Sequence, residues 1–320
     1  MQKDYAKMIA FLKNQHNMLI CGHEQPDGDC LGSMLAVYHA FDGESKNWRL
    51  VIPDTIPENL KYLPGLDLII KPEDIDIEVE AVLMLDGRGL HRTGFWLEPY
   101  LAGRRVFCID HHMGSFFEGE YLVLEPEASA TAEIVAAIIE EAGIDPEPIV
   151  AMNLYSGIVA DTACFRYMNT TSRCLNQAAK LLPKVDMEKV RIHLFEDCSM
   201  ANLRLKGYCC TTMQLECEGK LCYAALEKAT MERFGAGSED LYNIVSYMLM
   251  PHGVQMGILF EEHDGFIKVC LRSRNGVNVN RLAKSLGGGG HMLASGARIK
   301  GPLAEVMPRV INAAKEIFAK

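Results

Sequence analysis

Four apolar stretches of this chain run directly into aspartate or histidine. Residues 17–22 lead to His23, with Asp27 and Asp29 close behind; residues 81–85 lead to Asp86; residues 105–109 lead to Asp110, His111 and His112; residues 147–160 lead to Asp161. Each ending has an ordinary structural use. Asp27-Gly28-Asp29 suits a turn and a helix N-cap, Asp86-Gly87 a tight turn, Asp110-His111-His112 the polar close of a strand, and Asp161 an N-cap. Gathered at one edge of a sheet, the four would do something else. Carboxylates that converge without a cation repel one another and are costly to desolvate. An oxygen-rich cluster with some imidazole suits Mn²⁺ or Mg²⁺ better than zinc or copper. Two such ions roughly 3.5–4 Å apart can clamp a phosphoryl group and deprotonate a water between them.

The elements that must position these residues are legible as patterns. Residues 4–14 read as a short helix, 17–23 as a buried strand, and 29–41 carry apolar positions at helical spacing. Short apolar strands follow in "WRLVIP", "LDLII", "AVLMLD", "RVFCID" and "YLVLEP". Residues 130–143 and 146–160 read as helices, the first closing on Gly143, the second with Pro146 in its first turn. Alternating strands and helices predict an α/β domain with a mainly parallel sheet, in which ligands bind beyond the carboxyl ends of strands. Helical patterns continue through 172–183, 186–196 and 199–213. The texture then changes to strands "KLCYAALE", "VQMGILFEE" and "GFIKVCLRS", a helical reading over 228–249 and a final helix over 302–319. Two domains are expected, 1–190 and 215–320, joined by a helical connector over 191–214.

Composition narrows the function. The 320 residues are 49% hydrophobic and 23% charged, with a net charge of −10, so a large core is available. A surface built to hold long nucleic acid is usually basic, and this total is acidic. An anionic substrate must be gripped locally, which favours small substrates. No apolar run reaches the ~18 residues of a membrane span, and the N-terminal residues lack a signal-peptide core. A cytoplasmic protein is expected, with no membrane partner. The 11 cysteines contain no CxxC pair and sit mostly in apolar stretches, which predicts reduced, buried thiols.

"HEQPDGDCLGS", "LDGRGLHRTG", "DHH" and "GIVADTACF" occur in the order of the four motifs of the DHH phosphoesterase superfamily. "LRSRNGVNVNRLAKSLGGGGHMLASGA" is similar to the DHH-associated domain that follows them, and the resemblance spans residues 17–297. It implies an N-terminal DHH domain, a smaller C-terminal α/β domain and an active site in the cleft between them. His23, Asp27 and Asp86 match the ligands of one metal; Asp29, Asp86, His111 and Asp161 match those of the other, with Asp86 bridging. His112 matches the residue facing the scissile phosphate, with Asp110 orienting a histidine. Arg92 matches a substrate-side arginine. Ala163 replaces the glycine usual after "DT", and the Asn usual soon after "DHH" is missing.

In the second domain, closely spaced glycines let backbone N–H groups approach an anion, and guanidinium groups suit bidentate phosphate contacts. The resemblance places the terminal nucleotide at Arg272, Ser273 and His291, beside Gly288, Gly289 and Gly290; Met292 stands where a lysine is common. The domain layout resembles the stand-alone nanoRNases of the superfamily, which are also phosphatases of 3′-phosphoadenosine 5′-phosphate (pAp). That implies two divalent cations, Mn²⁺ first with Mg²⁺ or Co²⁺ as substitutes, and short RNA or DNA oligonucleotides or pAp as substrates. Hydrolysis of cyclic di-AMP or linear pApA is the alternative. A catalytically dead nucleotide-binding module is a third reading, which the intact ligand set opposes. A homodimer stays open.

Overall fold

Met18, Ile20, Ala81, Leu83, Leu85, Phe107 and Ile109 pack on one side of a sheet; Leu19, Cys21, Val82, Met84, Val106 and Cys108 pack on the other, and all are buried. Both faces being covered explains why these strands read as unbroken apolar runs. The computed structural model describes residues 5–112, 117–290 and 292–319. The chain divides into two units, Met1–Asp197 and Cys198–Lys320.

The first unit runs α1 (Ala6–Asn14), β1 (Met18–Cys21), α2 (Gly28–Ala40), β2 (Arg49–Val51), β3 (Ile69–Ile70), β4 (Ala81–Leu85), α3 (Leu90–Thr93), β5 (Arg105–Asp110), β6 (Tyr121–Leu124), α4 (Thr131–Glu141), α5 (Pro148–Asp161), α6 (Ser172–Leu181) and α7 (Met187–Arg191). Its six strands are all parallel, in the order β3-β2-β1-β4-β5-β6. The order reverses between β1 and β4, which opens a crevice at their carboxyl ends. Residues of α1, α2, α4, α5 and α6 form the core on one face. A 3₁₀ turn, Phe95–Tyr100, contributes Leu97 to the other.

Helices α2 and α5 approach closely because glycine faces the contact from both sides. A Cβ on Gly32 would come within 2.4 Å of the Asn153 carbonyl oxygen, and one on Gly157 within 2.8 Å of the Ala132 Cβ and 3.1 Å of Asp29 Oδ1. This packing brings Asp29, near the start of α2, toward Asp161, the last residue of α5.

The second unit runs α8 (Met200–Thr212), β7 (Gln214–Glu216), β8 (Leu221–Leu226), α9 (Lys228–Arg233), β9 (Met256–His263), β10 (Phe266–Ser273), α10 (Val279–Ser285), β11 (Gly289–Gly290), β12 (Ala294–Lys300) and α11 (Leu303–Phe318). Its sheet, β11-β12-β10-β9-β8-β7, is antiparallel except for the β8–β9 pair.

Two expectations are corrected. The helix expected over 228–249 stops at Arg233; Gly235 and Asn243 adopt positive φ, and only 3₁₀ turns follow. Helix α5 begins at Pro148, so Pro146 precedes it. The glycine run contributes a short strand, β11, paired with β12. All 11 cysteines are free; six are buried, and Cys164, Cys198 and Cys210 are exposed. Among the described residues, no helix is long and apolar enough to cross a membrane.

Candidate metal centre

Strands β1, β4 and β5 deliver His23, Asp86 and the 110–112 run to the same end of the sheet, and the ends of three helices close around them. Asp27 is the N-cap of α2, accepting from the amides of Asp29 and Cys30 at 3.0 Å each. Its ordinary use as a cap is therefore real, but its other oxygen lies 3.8 Å from His23 Nε2. Asp161 is a C-terminal helical residue and caps nothing.

Asp86 sits between two groups. Its Oδ2 is 3.3 Å from His23 Nε2, and its Oδ1 is 3.6 Å from His111 Nε2. Its backbone has φ +59°, a left-handed conformation that aspartate tolerates better than most residues. Its amide still donates to the Ile109 carbonyl at 3.1 Å. The residue thus leaves the strand sharply while remaining tied to β5. Ala163, two residues past Asp161, has φ +47°, a conformation that glycine adopts without steric cost; this accounts for the glycine expected there.

His23 and His111 are oriented alike. Nδ1 of His23 is 2.7 Å from the Glu24 carbonyl oxygen, and Nδ1 of His111 is 3.2 Å from that of Ala128. Each Nδ1–H donates there, so Nε2 is turned toward the carboxylates, where its lone pair could serve a cation held between them. Nε2 of His111 lies 3.4 Å from Asp161, 3.6 Å from Asp86 and 3.9 Å from Asp29. It is buried without a hydrogen-bond partner among the described residues.

The structure therefore gathers His23 with Asp27 and Asp86, His111 with Asp29 and Asp161, and Asp86 with His111 and His112, as groups able to hold a cation. Burial, then repulsion from Asp86, pushes the Asp29 and Asp161 carboxyls well above the usual carboxylate range. A cation would reverse that cost and occupy the space His111 Nε2 faces. Hard oxygens with imidazole fit Mn²⁺ or Mg²⁺.

His112 is held differently. Asp110 Oδ1 accepts from its Nδ1 and its amide at 2.9 Å each, and the buried Arg88 lies 3.4 Å from Asp110 Oδ2 while donating to the His112 carbonyl at 2.7 Å. Burial opposes charge on Asp110, but His112 and Arg88 hold its carboxyl below the usual range. Arg88 stands inside a quoted motif, yet nothing in its spacing distinguishes it from Arg92. Arg92 donates to the Asp86 carbonyl at 3.3 Å. Thr131, also unforeseen, donates from Oγ1 to Asp86 at 2.8 Å.

The second-unit residues are described by themselves. Arg272 is the penultimate residue of β10 and donates to the Leu271 carbonyl at 3.1 Å. The Ser273 hydroxyl is buried and donates to the Val277 carbonyl at 2.6 Å, closing a turn. Gly288 and Gly290 serve packing: added Cβ atoms would fall 2.0 Å from Gly296 O and 2.6 Å from Ala294 O, whereas Gly289 faces open space. His291 lies outside the described residues. This unit carries 15 Lys and Arg against 11 Asp and Glu, and the first 17 against 31. The acidic total thus conceals a basic second unit.

A model of the DHH family's N-terminal domain matches residues 17–158, and one of the DHHA1 domain matches residues 218–320. The bifunctional oligoribonuclease and PAP phosphatase NrnA of Thermus thermophilus is 32% identical over 302 residues, covering 93% of this chain and 89% of its own. Its namesake in Bacillus subtilis is 25% identical over 296 residues, covering 92% of each. The crystal structure of an exopolyphosphatase-related protein from Bacteroides fragilis superposes with a TM-score of 0.90 at 26% identity, covering 98% of this chain and 94% of its own. The acid and imidazole groups at the switch point of the parallel sheet lie in or just beyond the stretch that the first domain model matches, and with the DHHA1 unit behind it this chain belongs to the DHH family.

Proposed function

We propose that this chain is a metal-dependent phosphoesterase that cuts short oligoribonucleotides to mononucleotides and hydrolyses pAp to AMP and phosphate. The observation that carries this reading is His111 Nε2, buried, without a hydrogen-bond partner among the described residues and within 3.4–3.9 Å of carboxylate oxygens of Asp161, Asp86 and Asp29. His23, Asp27 and Asp86 are proposed to hold one Mn²⁺ ion, and Asp29, Asp86, His111 and Asp161 a second. Such ions, when bound, withdraw charge from phosphoryl oxygens and acidify water. Asp110 and Arg88 fix the His112 ring, whose Nδ1 is given to Asp110; its Nε2 is assigned to a phosphoryl oxygen or the leaving group. The substrate class rests on the likeness to the Thermus thermophilus relative. Arg272 and the backbone at Gly289 are proposed to contact the terminal nucleotide.

A side-by-side assay of pAp, a diribonucleotide, pApA and cyclic di-AMP with Mn²⁺ tests the proposal. Turnover of pAp and the diribonucleotide, abolished by chelation, is expected. Turnover of cyclic di-AMP alone, or metal-independent turnover, would overturn it.

A further inference from the structure

One five-residue segment, 128–132, reaches every residue of one proposed metal position. The Ala128 carbonyl accepts from His111. The amides of Thr131 and Ala132 donate to the two oxygens of Asp29 at 2.6 and 2.7 Å, and the Thr131 hydroxyl donates to Asp86. Asn169 Nδ2 donates to the carbonyls of both Ser129 and Asp161, at 2.9 and 3.1 Å, which ties the backbone of the fourth residue to the same segment. Among the described residues, no hydrogen bond joins the segment to His23 or Asp27.

The segment is itself clamped. The amide of Ser129 donates to Glu133 Oε2 at 2.8 Å, and its hydroxyl donates to the same oxygen. The Ala128 amide donates to the Glu125 carbonyl at 2.9 Å. Glu125 and Glu133 are 3% and 0% exposed, so two carboxylates are buried at the two ends of one turn. Arg173, on α6, spans them: Nη1 donates to Glu125 Oε2, and Nε lies 3.1 Å from Glu133 Oε1. Tyr5 donates to Glu125 from the residue preceding α1. Burying such a cluster adds little stability by itself, because desolvation offsets the attraction. Its distinctive product is geometry: a planar guanidinium sets the spacing of two carboxylates, which an ammonium cannot do.

We infer that Arg173 is a positioning residue for the Asp29–Asp86–His111–Asp161 metal position, acting through the 128–132 segment, and that it reaches the His23–Asp27–Asp86 position only through the shared Asp86. The inference rests on the metal reading proposed above. The two positions then differ in origin: one is pre-set by a clamped turn, the other by a helix cap and a strand end.

The test is a Mn²⁺ titration of the full chain, with free Mn²⁺ read by electron paramagnetic resonance. Arg173→Lys keeps the charge and loses the fork. One class of bound Mn²⁺ is expected to weaken by about 10- to 100-fold, as for other groups that orient metal-binding histidines, with the second class, which shares only Asp86 with the segment, weakened much less. In a His23→Ala background the effect of Arg173→Lys should remain at full size; in a His111→Ala background it should be much smaller. Should Arg173→Lys not fold, Glu125→Gln/Glu133→Gln/Arg173→Met removes all three charges together and is expected to give the same pattern. Equal weakening of both classes, or of neither, overturns the inference and leaves the metal reading standing. A wild-type chain that binds no Mn²⁺ overturns both.

Discussion

His111 and His112 are neighbours in the chain, but their Nδ1 atoms are held by different partners: the Ala128 carbonyl at 3.2 Å for one and Asp110 at 2.9 Å for the other. The first arrangement turns Nε2 into the carboxylate cluster. The second couples the ring to a buried ion pair. His111→Ala should therefore lower bound metal, whereas His112→Ala should retain it and lose kcat by about 10²- to 10⁴-fold, the usual range for a positioned acid or base. Metal analysis of both purified variants decides this. Equal metal content in the two would show that they do not divide the work.

Asp86 faces both groups, so its loss should remove both positions at once. Asp86→Asn keeps a residue that tolerates φ +59° and discards the charge. A fall in kcat of about 10³-fold is expected, from the several kcal/mol that metal ions supply. The thermal midpoint of the metal-free protein should not drop. Substantial turnover by a folded Asp86→Asn protein would exclude the shared role.

The contribution of Asp161 to the stability of the metal-free protein should fall as pH rises from the acid range. Asp161 is protonated in both states below about pH 4. Burial and the Asp86 charge raise its folded pKa, so above that pH the unfolded chain releases the proton while the folded state retains it, and stability falls until the folded carboxyl ionises too. Asp161→Asn should thus be more stable than the wild type in EDTA at pH 7–8, with the difference vanishing near pH 4. Saturating Mn²⁺ should reverse the order. Melting curves across pH, with and without the ion, provide the check; a wild type that is the more stable in EDTA at pH 7–8 would contradict it.

Gly32→Ala should separate α2 from α5, because its Cβ would lie 2.4 Å from a backbone oxygen. A loss of about 1–3 kcal/mol is expected, as for other overpacked cores, together with weaker metal binding as Asp29 moves from Asp161. Gly207, inside α8, is the contrasting case: a Cβ added there would meet nothing within 4 Å. Gly207→Ala should stabilise by about 0.8–1 kcal/mol through helix propensity alone. Denaturant unfolding of the two variants should give opposite signs.

Arg272→Ala should raise KM for a diribonucleotide about tenfold or more, the loss of a charged hydrogen bond of ~1.5–3 kcal/mol, with metal content unchanged. Steady-state kinetics and metal analysis together test it. No change in KM would remove Arg272 from the substrate contacts.

The residue types at the ends of apolar runs, read alone, placed His23, Asp86, Asp110 and Asp161 at the ends of buried elements, because a strand or helix that must bury its side chains changes composition where it meets the ligand-binding edge. The same reading located the parallel sheet, since strands covered on both faces are apolar throughout. It could not see what long-range packing decides. The bond between the Thr131 amide and Asp29 spans 102 positions, and that between the Ala132 amide and Asp29 spans 103. Arg88 and Arg92 lie in one motif and are chemically alike, but only the fold buries Arg88 against Asp110. Arg173 carries no local signal at all, because its meaning is the distance between two carboxylates on other elements. The glycine run carries no local signal of the strand partner, β12, that leaves no room for a Cβ at 288 and 290. Local pattern records which face of an element is buried; which polar groups meet inside is set by how the elements pack.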